Sequence, residues 1–215
     1  MTVLQIIALC ATGFCFVAML LHFIRIIRLG KPKDLSKKSG DVAKGVTYSA
    51  TIAMMPNNKE SAHKHIFDYL IGIIFHLGTF LALLIFILSF FPFFLKWLTG
   101  YQWIHGFVIM AQLTTSFAGL ILFCKRIIVQ SLRKLSNPDD FISNAVTTLF
   151  QFASAYYLLS YLNPIAFNLY YIAAILLFLY MPVGKLKHCL YFFSARYHLG
   201  FFYGWRNVWP PAKKK

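Results

Sequence analysis

Long apolar runs separated by short polar connections dominate the chain, and their lengths decide the class of fold. Five stretches are long enough to cross ~30 Å of hydrocarbon at about 1.5 Å per residue: 3–24, 69–95, 103–124, 141–162 and 165–183. None shows the strict alternation of a membrane β-strand. The fourth run is the least apolar, because Ser143, Asn144, Thr147, Thr148 and Gln151 interrupt it. Polar residues within a span are expected to face other helices. Asn163-Pro164 then separates the fourth run from the fifth. The first run lacks a basic leader and a small-residue cleavage site, and it is longer than a signal-peptide core, so it is expected to span. The pattern predicts an all-α membrane protein, a bundle of five transmembrane helices.

Composition agrees with the pattern. Of 215 residues 59% are hydrophobic and 13% charged, with 23 Phe and 12 Tyr, and mean hydropathy is +0.65. Soluble domains are far more polar. The 21 Lys and Arg set the orientation: Arg25, Arg28 and seven lysines of 31–64 lie at the first connection, and Lys125, Arg126, Arg133 and Lys134 at the third. Lys185, Lys187, Arg196, Arg206 and the last three lysines follow the fifth run, leaving Lys96 alone on the other side. The positive-inside rule puts the amino terminus outside and the carboxyl terminus in the cytoplasm. Residues 1–190 form the expected membrane domain and 191–215 a basic, aromatic cytoplasmic tail. The net charge of +15 is thus largely topological. Basic residues bordering apolar spans argue against nucleic acid and favour an acidic soluble partner or anionic lipid headgroups.

Cys10, Cys15, Cys124 and Cys189 are too scattered for an iron–sulfur or zinc site. Phosphate loops, nucleophile elbows and intramembrane carboxylate pairs are missing from the sequence, which makes soluble-type hydrolysis a poor reading. Asp139 and Asp140 follow Pro138 and suit a helix start. The seven histidines remain. His76 stands within "GIIFHLGTFLALLIFILSFF" at 72–91, where a polar ring needs a partner. His188 ends the fifth run, and the two fall on antiparallel helices toward the inner side. A b-type haem requires two imidazoles from different helices with an apolar gap between them. Ordinary polar contacts between helices are the alternative. His65 and His198 could hold a second haem only at the cytoplasmic surface, and His63-Lys64-His65 suits a solvated basic loop better than a metal. His22, Lys96 and His105 lie at span ends and are candidates for a quinone site. Aromatic belts and snorkelling explain the same positions without a site.

"FHLG" at 75–78, "GLILFCKRII" at 119–128, "SNPDDFISN" at 136–144 and "YMPVGKLKH" at 180–188 occur in this order. Together they resemble the cytochrome b (gamma) subunit of respiratory nitrate reductase. The tail "YFFSARYHLGFFYGWRNVWPP" at 191–211 is similar to that of related subunits serving heterodisulfide-reductase-like iron–sulfur proteins. The resemblance implies inner-haem ligation by His76 and His188. It also implies an outer haem whose ligands would fall at 85–88 and near Tyr170, where no histidine occurs. One haem b is therefore expected.

The resulting expectation is a multi-pass subunit of a prokaryotic cytoplasmic membrane that relays electrons between the quinone pool and a cytoplasmic iron–sulfur subunit. It is an electron-transfer component rather than an enzyme by itself. Arg196 and Arg206 are the candidates for haem propionates or the partner surface. The competing expectation is a haem-free anchor or assembly subunit. Orientation is tested with reporters: a fusion after Lys215 should be active on the cytoplasmic side and one at Met1 outside, and the reverse pattern would refute the charge argument.

Overall fold

The computed structural model describes residues 1–30, 33–58 and 64–211. Lys31, Lys59, His63 of the His63-Lys64-His65 triplet, and Lys213, Lys214 and Lys215 lie outside the described residues. Among the described residues the regular structure is entirely helical, with nine α-helices. They are α1 (Val3–Arg28), α2 (Val42–Ala50), α3 (Ile66–Leu88), α4 (Pro92–Gly100), α5 (Gln102–Ile128), α6 (Gln130–Leu135), α7 (Pro138–Leu159), α8 (Pro164–Tyr180) and α9 (His188–Trp205).

Three of them, α1, α3 and α5, are long and apolar enough to cross a membrane, and a fourth span is reached if the helical segments on either side of 181–184 are counted as one. The described residues are thus helical with three to four candidate spans. Two local features separate this from a plain count of five apolar runs. α8 has only 17 residues, and the interior of α7 is rich in buried hydroxyls and amides. The second run is also divided: α3 stops at Leu88 and α4 begins at Pro92. Proline has no N–H and its ring clashes with the preceding turn, so it starts a helix readily and interrupts one at a cost. Ser89 Oγ closes the end of α3 by donating to Phe86 O at 2.7 Å.

The chain divides into two compact units, residues 1–16 with 67–186, and residues 17–66 with 187–215. In the first unit α7 packs against both α5 and α8. The start of α7 is a reciprocal capping box: Asn137 accepts from Asp140 N at 3.1 Å and Asp140 accepts from Asn137 N at 3.0 Å, with Pro138 in the first turn. α8 repeats the device more simply, Asn163 accepting from Ile165 N at 2.8 Å ahead of Pro164. The apolar core is largely aromatic. The Tyr170 ring lies parallel to Tyr157 at 4.7 Å and to Phe150 at 5.8 Å, while Phe86 meets Phe150, Tyr170, Tyr171 and Phe178 edge-on or tilted. Such pairs add about 0.5–1.5 kcal/mol each beyond area burial. Helix approach is set by small residues: a Cβ on Gly78 would collide with the Thr115 side chain, and one on Gly119 with Thr148 and Phe75.

The second unit is built on a close crossing of α2 and α9. A Cβ at Gly45 would come within 2.5 Å of Gly200 O, and one at Gly200 within 2.5 Å of Val46 Cα. Backbones this close tolerate no side chain between them. Asp41 caps α2, accepting from Ala43 N and Lys44 N at 2.9 and 3.3 Å. Ser49 Oγ then donates across the crossing to Arg196 O at 2.9 Å.

Gly200→Ala should separate α2 from α9 and destabilise the unit by about 1–3 kcal/mol, the usual range for overpacking. Gly13→Ala, with no atom within 4 Å of the new methyl, should be neutral or stabilise α1 by roughly 0.5–1 kcal/mol. Thermal melts, with hydrogen exchange at 42–50 as the local readout, distinguish the two.

Candidate functional site

His76 projects from α3 among exposed apolar neighbours, Ile73, Leu77 and Phe80. Its Nδ1 lies 2.6 Å from Gly72 O, one turn back along the helix. A carbonyl can only accept, so Nδ1 carries the proton, and in the neutral ring the lone pair then sits on Nε2. A histidine held this way by a carbonyl is the usual support for ligation through the other nitrogen. The residue therefore fits the chemistry of an axial ligand. Its partner by sequence, His188, opens α9 and is also exposed. His76 belongs to the first unit and His188 to the second, so neither unit alone contains both.

The quinone candidates are distributed in the same manner. Lys96 on α4 is exposed, and His105 on α5 donates from Nε2 to Leu158 O at 3.0 Å, both within the first unit. His22 lies in the second unit, where the Tyr191 hydroxyl is 3.2 Å from its Nδ1 and the two rings meet edge-on at 6.0 Å. The structure thus gives His105 and His22 specific protein partners. An open apolar groove of about 390 Å³ runs between α3 and α5, lined by Ile74, Leu77, Gly78, Leu81, Phe107 and Met110 among others. Its Thr114 and Thr115 hydroxyls already donate to carbonyls of their own helix. The groove depends on how α3 and α5 pack side by side, which the letters of either helix alone do not show.

Arg196 stacks on Phe192 at 5.6 Å. Arg206 lies over the Phe202 ring at 3.8 Å and forms an ion pair with Asp34, Nη1 with Oδ2 and Nη2 to Oδ1 at 3.1 Å. The Ser36 backbone N–H and hydroxyl, followed by this guanidinium, hold the Asp34 carboxyl below its ordinary range. Trp205 completes the fastening, donating from Nε1 to Ser36 O at 2.8 Å and accepting from Ser39 N and Gly40 N at 3.0 and 3.1 Å. His65 and His198 are exposed members of the second unit. Among the described residues no three His, Cys, Asp or Glu side chains gather as a metal site. No family model, curated protein or solved structure matches the chain.

A charged tie closes the first unit at the start of α7. Asp140 receives Lys185 Nζ at 2.7 Å and Arg126 Nη1 at 3.3 Å. The Lys185 hydrogen bond, aided by the Asn137 N–H and by the charges of Lys185 and Arg126, holds the Asp140 carboxyl below its ordinary range despite partial burial. A depressed folded-state value means that the unfolded chain binds the proton more readily, so the stabilisation is full above the ordinary Asp range and is lost as pH falls through the lower, folded value. Asp140→Asn should therefore lower stability by about 1–2 kcal/mol near neutral pH. The gap between variant and native melting temperatures should close in acid, and a gap independent of pH would show that the carboxylate charge is not what ties the helices.

Proposed function

We propose that the chain is a membrane cytochrome b-like subunit that passes electrons between a lipid quinone and a cytoplasmic iron–sulfur partner, through one haem b with His76 and His188 as axial ligands. Five membrane spans, an external amino terminus and a cytoplasmic carboxyl terminus belong to this reading. The observation that carries it is the His76 ring, polar within an apolar helix and held at Nδ1 by Gly72 O, which leaves Nε2 as the ligating atom. Haem supplies one-electron redox chemistry when bound. The chain orients one imidazole through Gly72 O and surrounds it with exposed apolar side chains of α3.

Two further features support the details. Of positions 85–88 and the neighbourhood of Tyr170, where a second haem would need ligands, Ile85 and Phe86 are buried and Tyr170 lies in a ring stack, and none is a histidine, which supports one haem rather than two. The groove between α3 and α5 includes Leu77 and Gly78, the two residues after His76, and its volume is in the range of small-molecule sites. This supports quinone binding beside His76 over the positions of Lys96 and His105. Basic segments of 31–64, 125–134 and the tail would meet the partner in a salt-sensitive contact.

The purified complex should give a reduced-minus-oxidised spectrum of low-spin haem b and one haem per chain by pyridine haemochrome. His76→Ala or His188→Ala should abolish that spectrum, and His105→Ala should leave it intact. A full complex without haem would establish the anchor reading instead.

A further inference from the structure

Three polar atoms in the middle of the first unit have no hydrogen-bond partner in the protein: Gln151 Oε1, Ser154 Oγ and the Tyr170 hydroxyl. All three residues are completely buried. Gln151 and Ser154 are three apart on α7 and so share a face, and Ser154 stands beside the Tyr170 hydroxyl of α8. Two of the orphaned groups are thus side by side, and the third lies one turn back on the same face of α7.

Each is left over for a definite reason. Gln151 cannot be turned to satisfy its oxygen, because its Nε2 serves Phe75 O at 3.0 Å and Thr79 Oγ1 at 2.8 Å, and a carbonyl facing a carbonyl would be worse. Ser154 does not bond back to its own helix, although Thr79, Thr114, Ser116 and Thr147 all donate to the carbonyl four residues earlier. Tyr170 differs from its neighbour Tyr171, whose hydroxyl meets Ser89 Oγ at 2.9 Å and Gln5 Nε2 at 3.1 Å. A buried polar group without a partner costs about 1–3 kcal/mol, and three together in an apolar bundle call for a ligand.

We propose that this cluster binds a structural water that joins Gln151 Oε1, Ser154 Oγ and the Tyr170 hydroxyl and so ties α7 to α8. The chemistry selects water. Oε1 needs a donor, while the two hydroxyls can give or take, and a ligand that does both is required. A ring-sized ligand is excluded by Tyr157 and Phe150 stacked on Tyr170 at 4.7 and 5.8 Å. A sodium ion would find three neutral oxygens but no carboxylate to offset its desolvation.

Two measurements on the full chain in detergent test this. Radiolytic hydroxyl-radical labelling reports side chains next to buried water, and Tyr170 and Tyr171 are equally inaccessible from bulk solvent. Tyr170 should be labelled several-fold more than Tyr171, and equal or absent labelling of both would overturn the proposal. The second measurement is the sign of a melting shift. With water bound, Tyr170→Phe removes one of its bonds and should lower the melting temperature. In a dry cluster the same change deletes an orphaned hydroxyl, so an unchanged or higher melting temperature would refute the site. Replacing sodium by choline at constant ionic strength should leave the melt unmoved, and a sodium-specific rise would assign a cation in place of water.

Discussion

The Phe75 carbonyl of α3 already receives Thr79 Oγ1 from its own helix when Gln151 Nε2 of α7 reaches it at 3.0 Å. The remainder of the first unit depends on that kind of bond. A main-chain carbonyl in a helix keeps a spare lone pair, and where water is absent only side chains, of its own helix or of another, can donate to it. Gln112 Nε2 uses Gly78 O at 3.4 Å and His105 Nε2 uses Leu158 O at 3.0 Å in the same manner. The second unit repeats the device with Ser49 on Arg196 O and Trp205 on Ser36 O. Such ties specify register, because a helix slipped by one residue presents an apolar side chain where the donor is needed. Their net strength is modest, about 0.5–1.5 kcal/mol each, so selection of one arrangement is their larger contribution.

Glycine makes these bonds reachable. Gly78 lets Thr115 in, Gly119 lets Thr148 and Phe75 in, and Gly45 with Gly200 brings two backbones together. Where glycine has no neighbour, as at Gly13 and Gly72, it weakens the helix without improving packing. Gly72 nevertheless offers the carbonyl that His76 uses, and any residue would have provided it. The distinction is physical: some glycines are required for their missing side chain, and others merely occupy a place.

This explains what could be read from the sequence. Helical class and the existence of long apolar elements follow from run length and from the absence of alternation, and α1 and α5 match their runs closely while α3 ends short of its run. The start of α7 was legible in Asn137-Pro138-Asp139-Asp140, since capping is local chemistry. The break at Pro92 was visible in the letters, yet the surrounding run was apolar enough to hide it. The α2–α9 crossing was not legible, because Gly45 and Gly200 are 155 positions apart (200 − 45) and α2 is too short to stand out by periodicity. For the candidate site, an isolated polar ring in an apolar helix singled out His76 at once. The protein partners of His22 and His105 depend on tertiary placement, and the sequence contains no signal for them.

The acids show how the charge excess arises. There are six Asp and Glu against 21 Lys and Arg, and Asp34, Asp41, Asp68 and Asp140 each pair with a cation of the same chain. Asp41 and Asp140 also cap helices. Carboxylates placed to fasten the fold cannot balance the lysines of the connections, and in a low-dielectric setting their own desolvation is offset only while those partners stay in place. The cations they leave over are therefore surface charge by arithmetic rather than by design of any one residue. A surface of that sign attracts anionic lipid and acidic protein alike over about a Debye length, roughly 8–10 Å in ordinary salt. Not every cation contributes equally to that field, since Arg206 is already committed to Asp34 and to the face of Phe202.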